Sequence, residues 1–184
     1  RYDREPVGAL QALNPDVVIY TGSVSKSISP AVRIAWLALP PRLVEVVRAT
    51  KGSREPDASI IDQLVLAELI DSGAYDRHIR RSRQYYRRRR DVLTDAFAHA
   101  GVTIPGIAAG LHAVIPLPSH DEDTVFDAAL RQRFALAKMS QFRHPDTSID
   151  DSSPSGLVVG FGTPPASSYQ ADVRALVSLV TEHL

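Results

Sequence analysis

Lys26 and its neighbours form the stretch of this sequence best suited to chemistry. The chain has three lysines against eighteen arginines, and Lys26 lies among the hydroxyl residues Ser23, Ser25 and Ser27, seven residues before Arg33. A neutral lysine amine can form a Schiff base with an aldehyde. Serine hydroxyls, loop N–H groups and an arginine are donors for a phosphate. The stretch therefore indicates an amine–aldehyde site beside an anion site; an exposed lysine in a polar loop is the alternative interpretation.

Short elements must position this stretch. Periodicity and turn residues predict five strands, at 17–20, 33–39, "GLHAVIPLP", "RFALAKM" and "LVVGFG". They also predict five helices, at 42–50, 57–71, 75–100, 123–132 and from Ser167 or Ser168 to the C-terminus. Trp36 and Tyr20 are expected in the core. The pattern is an α+β unit that follows a helix-rich connection.

Composition limits the class of protein. The 184 residues are 44% hydrophobic and 23% charged with zero net charge, which is typical of a globular chain of one domain, or one and part of another. The chain has no cysteine, which excludes disulfides and thiolate metal sites. No apolar run approaches the roughly 20 residues of a membrane helix, so we expect a cytoplasmic protein. The first residue, Arg1, and the polar opening predict a chain that begins within a domain.

The segment "TGSVSKSISPAVRIAWLALP" resembles the lysine segment of fold-type I pyridoxal-phosphate enzymes, G-[ST]-x-S-K-x-x-x-P-x-x-R-x-G-[YW]. The matching residues are Gly22, Ser23, Ser25, Lys26, Pro30, Arg33 and Trp36, with Ala35 in place of the usual glycine. The blocks "YDREPVGALQALNPDVVIY", "HIRRSRQYYRRRRDVL", "GLHAVIPLP" and "LVVGFG" resemble the aminotransferase-like half of MocR-type regulators of the GntR superfamily. The resemblance covers nearly the whole chain in the right order.

The resemblance implies a role for each matched residue. Lys26 would carry pyridoxal 5′-phosphate as a Schiff base, Ser23 and Arg33 would hold its phosphate, and Ser25 would assist. The implied fold is α/β, PLP-dependent transferase-like of fold type I. Residues 1–75 would end the large domain, and residues 76–184 would form a connecting helix and the small domain.

The resemblance also implies partners. A MocR-type regulator forms a homodimer, senses the cofactor or an amino acid or amine effector, and contacts DNA through an N-terminal winged helix that this chain lacks. Two other functions stay open: a class I aminotransferase acting on amino acids, and a scaffold or dimerisation fragment without cofactor.

Two departures from the family pattern affect the expected site. The aspartate that pairs with the pyridine nitrogen and the tyrosine near the ring hydroxyl belong to an upstream segment absent from this chain, and Asp3 is not a substitute. We therefore expect weak or no cofactor binding by residues 1–184 alone. Val158 stands where aminotransferases often carry a carboxylate-binding arginine. Arg143 is the candidate to bind the substrate carboxylate, or else a loop arginine.

Three further patterns have ordinary structural explanations. The arginine-rich stretch 77–90 suggests nucleic acid, but interleaved acids and apolar residues favour a solvated helix face. His112 is a candidate for the cleft or a structural histidine. The "SHDEDT" segment has metal-ligand residue types without a second cluster, and acids at a helix N-terminus explain it.

Overall fold

The computed structural model describes residues 2, 7–52, 58–144, 146 and 154–184. The chain divides into two compact units. The first lies within Glu5–Ser82. The second lies within Arg83–Leu184 and also includes Tyr2. Tyr2 donates its backbone N–H to the carbonyl of Ala108 at 2.7 Å and its hydroxyl to the carbonyl of Gly110.

The first unit contains a two-stranded antiparallel hairpin followed by helices. Strands β1 (Tyr20–Ser23) and β2 (Ala35–Ala38) pair with Ser23 opposite Ala35. Helix α1 spans Pro41–Lys51 and begins with a proline, whose missing N–H costs nothing at a helix start.

The prediction of a strand at 17–20 is wrong by three residues. The turn begun by Asn14 extends further than expected, because the carbonyl of Asn14 accepts the backbone N–H groups of Val17 and Val18 at 3.3 and 3.1 Å. Strand pairing starts only at Tyr20. The same hairpin leaves Trp36 43% and Tyr20 42% exposed, so their expected core positions are also wrong within this unit.

Two helices complete the first unit and lead out of it. Helix α2 spans Ile60–Asp71 after an N-cap at Ser59, whose hydroxyl accepts the N–H of Asp62 at 3.4 Å. The predicted start at residue 57 lies outside the described residues. Gly73 has a φ of 68° and separates α2 from α3, which spans Ala74–His99 and continues into the second unit.

The second unit is a three-stranded antiparallel sheet covered by helices. Strands β3 (His112–Pro116), β4 (Ala137–Lys138) and β5 (Gly156–Gly160) lie in the order β3-β5-β4. Helices α4 (Glu122–Arg131) and α5 (Tyr169–Thr181) pack with α3 against the sheet. The largest fully buried side chains of this core are Leu93, Phe97, Ile115, Val125, Leu157, Phe161, Leu179 and Val180.

The segment "RFALAKM" forms a much shorter strand than predicted. Arg133 adopts a left-handed φ of 64°, and the N–H of Phe134 reaches back to the carbonyl of Ala129 at 3.0 Å. These features end helix α4, and strand pairing with β5 therefore begins only at Ala137. A short 3-10 helix, Met139–Phe142, follows directly.

Candidate functional site

Lys26 lies in the turn that joins β1 to β2, which we call the lysine turn (residues 24–34). The ladder continues one pair into this turn, since Val24 donates its N–H to the carbonyl of Ile34 at 3.1 Å. Val24 and Ile34 are only 2% and 8% exposed. Because successive residues of an extended pair point to opposite faces, the flanking residues Ser23 and Arg33 face away from this buried pair, and both are exposed.

The carbonyl of Val24 organises the part of the turn that carries the lysine. It accepts the backbone N–H groups of Ser27 and Ile28 at 3.1 and 2.8 Å, and the hydroxyl of Ser27 at 3.3 Å. The backbone of Lys26 therefore lies within a turn that these hydrogen bonds close, while its side chain is exposed. Ser27, which the sequence suggested as an anion donor, uses its hydroxyl within the turn instead.

The two cations of the turn are available to a ligand. Within the part of the chain that the structure describes, neither the amine of Lys26 nor the guanidinium of Arg33 makes a hydrogen bond or ion pair. The hydroxyls of Ser23 and Ser25 likewise have no protein partner among those residues. A free amine, two hydroxyls and a free guanidinium on one short hairpin are a donor set that fits a phosphate-bearing aldehyde.

Gly22 has a packing role that explains the glycine of the motif. It pairs with Trp36 across the hairpin, and a Cβ at position 22 would lie 2.3 Å from Cε2 and Cζ2 of that indole. Only glycine lets the ring lie across β1. A side chain at position 22 would displace the indole in its present position.

Two residues that the sequence did not single out contact the lysine turn. The hydroxyl of Tyr75 donates to Oγ of Ser27 at 3.3 Å, and Nε2 of His78 lies 2.8 Å from the Ser27 carbonyl oxygen. They are 48 and 51 residues from Ser27, so no local pattern could have indicated the contacts.

Arg143 belongs to the second unit and is half-buried there. One of its guanidinium nitrogens donates to the carbonyl of Pro154 at 2.6 Å, while its buried Nε has no hydrogen-bond partner among the described residues. A cleft of the same unit is lined by His112, Val158 and Phe142, whereas Arg143 is not among its described lining residues.

Arg89 is the buried member of the arginine-rich stretch. It is 4% exposed and donates to the carbonyls of Phe161 and Pro164 at 2.6 and 2.7 Å and to the hydroxyl of Tyr85 at 2.5 Å. Its guanidinium carbon lies 3.7 Å from the ring centroid of Tyr169. Burial raises the pKa of Tyr169 to about 12. Arg89 thus holds the segment after β5 onto α3.

The other arginines of the stretch lie mainly on the surface. The exposed ones are Arg77, Arg80, Arg81, Arg83, Arg87 and Arg88. The described part of the chain also lacks two features. No helix there is long and apolar enough to cross a membrane, and no group of three or more His, Asp or Glu side chains there could hold a metal ion.

Comparison with known proteins connects these features to one family. Residues 4–149 match the family described as aminotransferase class I and II. The HTH-type transcriptional regulator YhdI of Bacillus subtilis is 35% identical over 135 residues, which is 70% of this chain and 29% of that protein. The pyridoxine biosynthesis regulator PdxR of Corynebacterium glutamicum is 31% identical over 89% of this chain and 35% of its own length.

A further relative and a solved structure agree. The probable rhizopine catabolism regulatory protein MocR of Rhizobium meliloti is 32% identical over 50% of this chain and 19% of its own length. The structure of Pyrococcus horikoshii kynurenine aminotransferase, solved in complex with PMP, superposes with a TM-score of 0.84 at 24% identity, over 100% of this chain and 46% of that one.

These matches confirm the predicted fold class and the resemblance to MocR-type regulators. The chain spans about a third of the length of YhdI and PdxR. The match of residues 4–149 to the family model, together with a regulator that is 35% identical over 70% of the chain, assigns this chain to the aminotransferase class I and II family.

Proposed function

We propose that this chain is the lysine-bearing part of a pyridoxal-phosphate-binding effector domain in a MocR-type transcriptional regulator of the GntR superfamily. The observation that carries the proposal is the lysine turn. It holds an amine and a guanidinium without a partner among the described residues, in a chain that aligns with HTH-type regulators over up to 89% of its length.

Four residues of the hairpin, Ser23, Ser25, Lys26 and Arg33, have a proposed task. Lys26 would hold the cofactor through its Nζ, which lies at the end of an exposed side chain. Arg33 supplies a fixed positive charge and a fork of donors to the phosphate, and Ser23 and Ser25 add hydroxyl donors. When bound, pyridoxal phosphate would supply an aldehyde that reacts with amines and a ring that withdraws electrons.

The remaining parts of the proposal concern the domains and partners. Residues 1–75 end the large domain, and residues 76–184 form the connecting helix and small domain, in which Arg143 binds the carboxylate of an amino acid effector. DNA contact belongs to an N-terminal winged-helix domain outside this sequence. A homodimer is supported by α2, whose exposed apolar side chains suit a protein partner; these are Ile60, Ile61, Leu64, Val65 and Ile70.

Covalent attachment tests the proposal directly. Intact protein mixed with pyridoxal phosphate should develop the absorbance band of a lysine-bound cofactor, and Lys26→Ala should abolish it. Lys138→Ala is the matched control, because its amine already pairs with Asp123 at 2.7 Å and lies in the other unit. An unchanged band in Lys26→Ala would contradict the proposed role of Lys26, and no band in the wild type would favour the scaffold function.

The enzyme alternative is supported by the family match itself, whose members include aminotransferases. A regulator should bind an amino acid without turnover, whereas an enzyme should convert it into a 2-oxo acid. Assaying the intact, cofactor-loaded protein for 2-oxo acid release from a panel of amino acids separates the two. Release that continues beyond one equivalent per chain, in the presence of an amino-group acceptor, would establish the enzyme.

A further inference from the structure

Ser27 connects the lysine turn to the first two turns of α3. Its hydroxyl accepts from Tyr75, and its carbonyl oxygen lies 2.8 Å from Nε2 of His78. All three residues belong to the first unit. The residue directly after Lys26 is thus fixed by two contacts from one helix.

The contact with His78 determines where that histidine carries a proton. A carbonyl oxygen only accepts hydrogen bonds, so Nε2 of His78 must be the donor. The hydroxyl of Ser82 lies 3.4 Å from the same nitrogen and can therefore only accept from it. His78 therefore donates its Nε2–H to the Ser27 carbonyl.

The contact with Tyr75 extends through the turn. Tyr75 donates to Oγ of Ser27, and Oγ of Ser27 donates to the carbonyl of Val24. Val24 is buried, and its carbonyl also accepts two backbone N–H groups of the turn. Hydrogen bonds in such a chain polarise one another, so the loss of one weakens the next.

Lys26 therefore lies between two anchored residues. Val24 is held by the core of the hairpin, and Ser27 is held by α3. With the backbone fixed on both sides, only the side-chain torsions of Lys26 remain to be set when its amine meets a ligand. Such prior ordering raises the rate of a reaction that depends on position.

We propose that Tyr75 and His78 are positioning residues for Lys26, which hold the lysine turn through Ser27 so that the amine is directed toward the aldehyde of the cofactor. This inference rests on the proposed function of Lys26. It assigns to the start of α3 a role in cofactor attachment, and the two side chains act without touching the cofactor.

The first test measures the turn itself and needs no cofactor. In the intact protein, His78→Phe and Tyr75→Phe should accelerate hydrogen exchange of the Ile28 amide, which donates to Val24, by about tenfold. His78→Gln keeps an N–H donor at a similar reach and should exchange within about twofold of the wild type. His99→Phe is the control on the same helix, since the hydrogen bond of its ring goes to the carbonyl of Asp95 and not to Ser27 or His78.

The second test measures attachment of pyridoxal phosphate by stopped-flow absorbance. His78→Phe should lower the saturating rate of attachment by about tenfold. The half-saturating concentration should stay unchanged, because Ser23 and Arg33 are untouched. His78→Gln should restore the rate.

The outcomes separate this inference from the proposed function. Unchanged Ile28 exchange in His78→Phe and Tyr75→Phe would overturn the inference, whatever the cofactor does. Equal loss of rate in His78→Gln and His78→Phe would overturn it as well, since the donor would then be irrelevant. Failure of the wild type to attach cofactor would refute the proposed function, and amide exchange alone would then decide whether the turn is held as described.

Discussion

At the scale of single residues, Glu122 is a buried and hydrogen-bonded carboxylate of the second unit. It is 5% exposed, and its Oε1 accepts the backbone N–H groups of Ser140 and Gly156 at 3.2 and 2.9 Å and the hydroxyl of Ser155 at 3.4 Å. The "SHDEDT" segment thus supplies a structural carboxylate at the start of α4, which joins β5 to the segment after β4.

The pKa of Glu122 gives a pH-dependent prediction. Burial alone would raise it, but hydrogen bonds from Ser140, Gly156 and Ser155 outweigh that effect and leave the pKa below 4.5. A lowered folded-state pKa adds stability above the unfolded value, and that stability is lost as the pH falls through the folded value. Glu122→Gln should therefore lower the free energy of unfolding by about 1–2 kcal/mol at pH 7, and the difference from the wild type should shrink below pH 4.5.

Urea unfolding of the intact protein at several pH values measures this difference. Glu68→Gln is the control, because Glu68 lies exposed on α2. A difference between Glu122→Gln and wild type that stays constant down to low pH would contradict the account of Glu122.

How much of the site the sequence predicts depends on how far apart along the chain the contacting residues are. Lys26, Ser23 and Arg33 lie within eleven residues, so their shared motif could be found directly. Arg89 looked like its exposed neighbours, since its burial depends on carbonyls more than seventy residues away. The contacts of Tyr75 and His78 with Ser27 could not be predicted for the same reason, since 48 and 51 residues separate the partners.

At the scale of elements, the register of β3 and β5 depends on Gly156. Its φ is 152°, and a Cβ there would lie 2.2 Å from the carbonyl oxygen of Ile115. A backbone atom of a paired strand has little freedom to move, so Gly156→Ala must displace the ladder. We expect this change to lower the free energy of unfolding by more than about 2 kcal/mol.

Gly160→Ala on the same strand is the matched control. A Cβ there would lie 3.6 Å from the His112 ring, an ordinary contact distance. Thermal unfolding followed by circular dichroism compares the two variants. Equal melting temperatures would contradict the close approach at Gly156.

Helices were easier to predict than strands for a physical reason. Helix α3 was expected at 75–100 and spans Ala74–His99, because its bonds are local and Gly73 and Gly101 mark its ends. The strands near Val17 and Arg133 were misplaced, because turn hydrogen bonds and a helix terminus occupied backbone groups that a strand would have used.

At the scale of the whole molecule, the proposed function couples the lysine turn to DNA. Pyridoxal phosphate should change the affinity of the intact regulator for DNA carrying its own promoter by about tenfold, within the range of typical coupling energies. Lys26→Ala should keep DNA binding and lose the response. Fluorescence anisotropy with and without cofactor measures both, and a full response in Lys26→Ala would contradict the coupling.

The central claim is that Lys26 is the residue that holds the cofactor. Borohydride reduction of the intact protein with pyridoxal phosphate, followed by peptide mass spectrometry, locates the attachment among the three lysines of the chain. We expect the phosphopyridoxyl mass on Lys26 and not on Lys51 or Lys138. Modification of another lysine, with Lys26 unmodified, would contradict it.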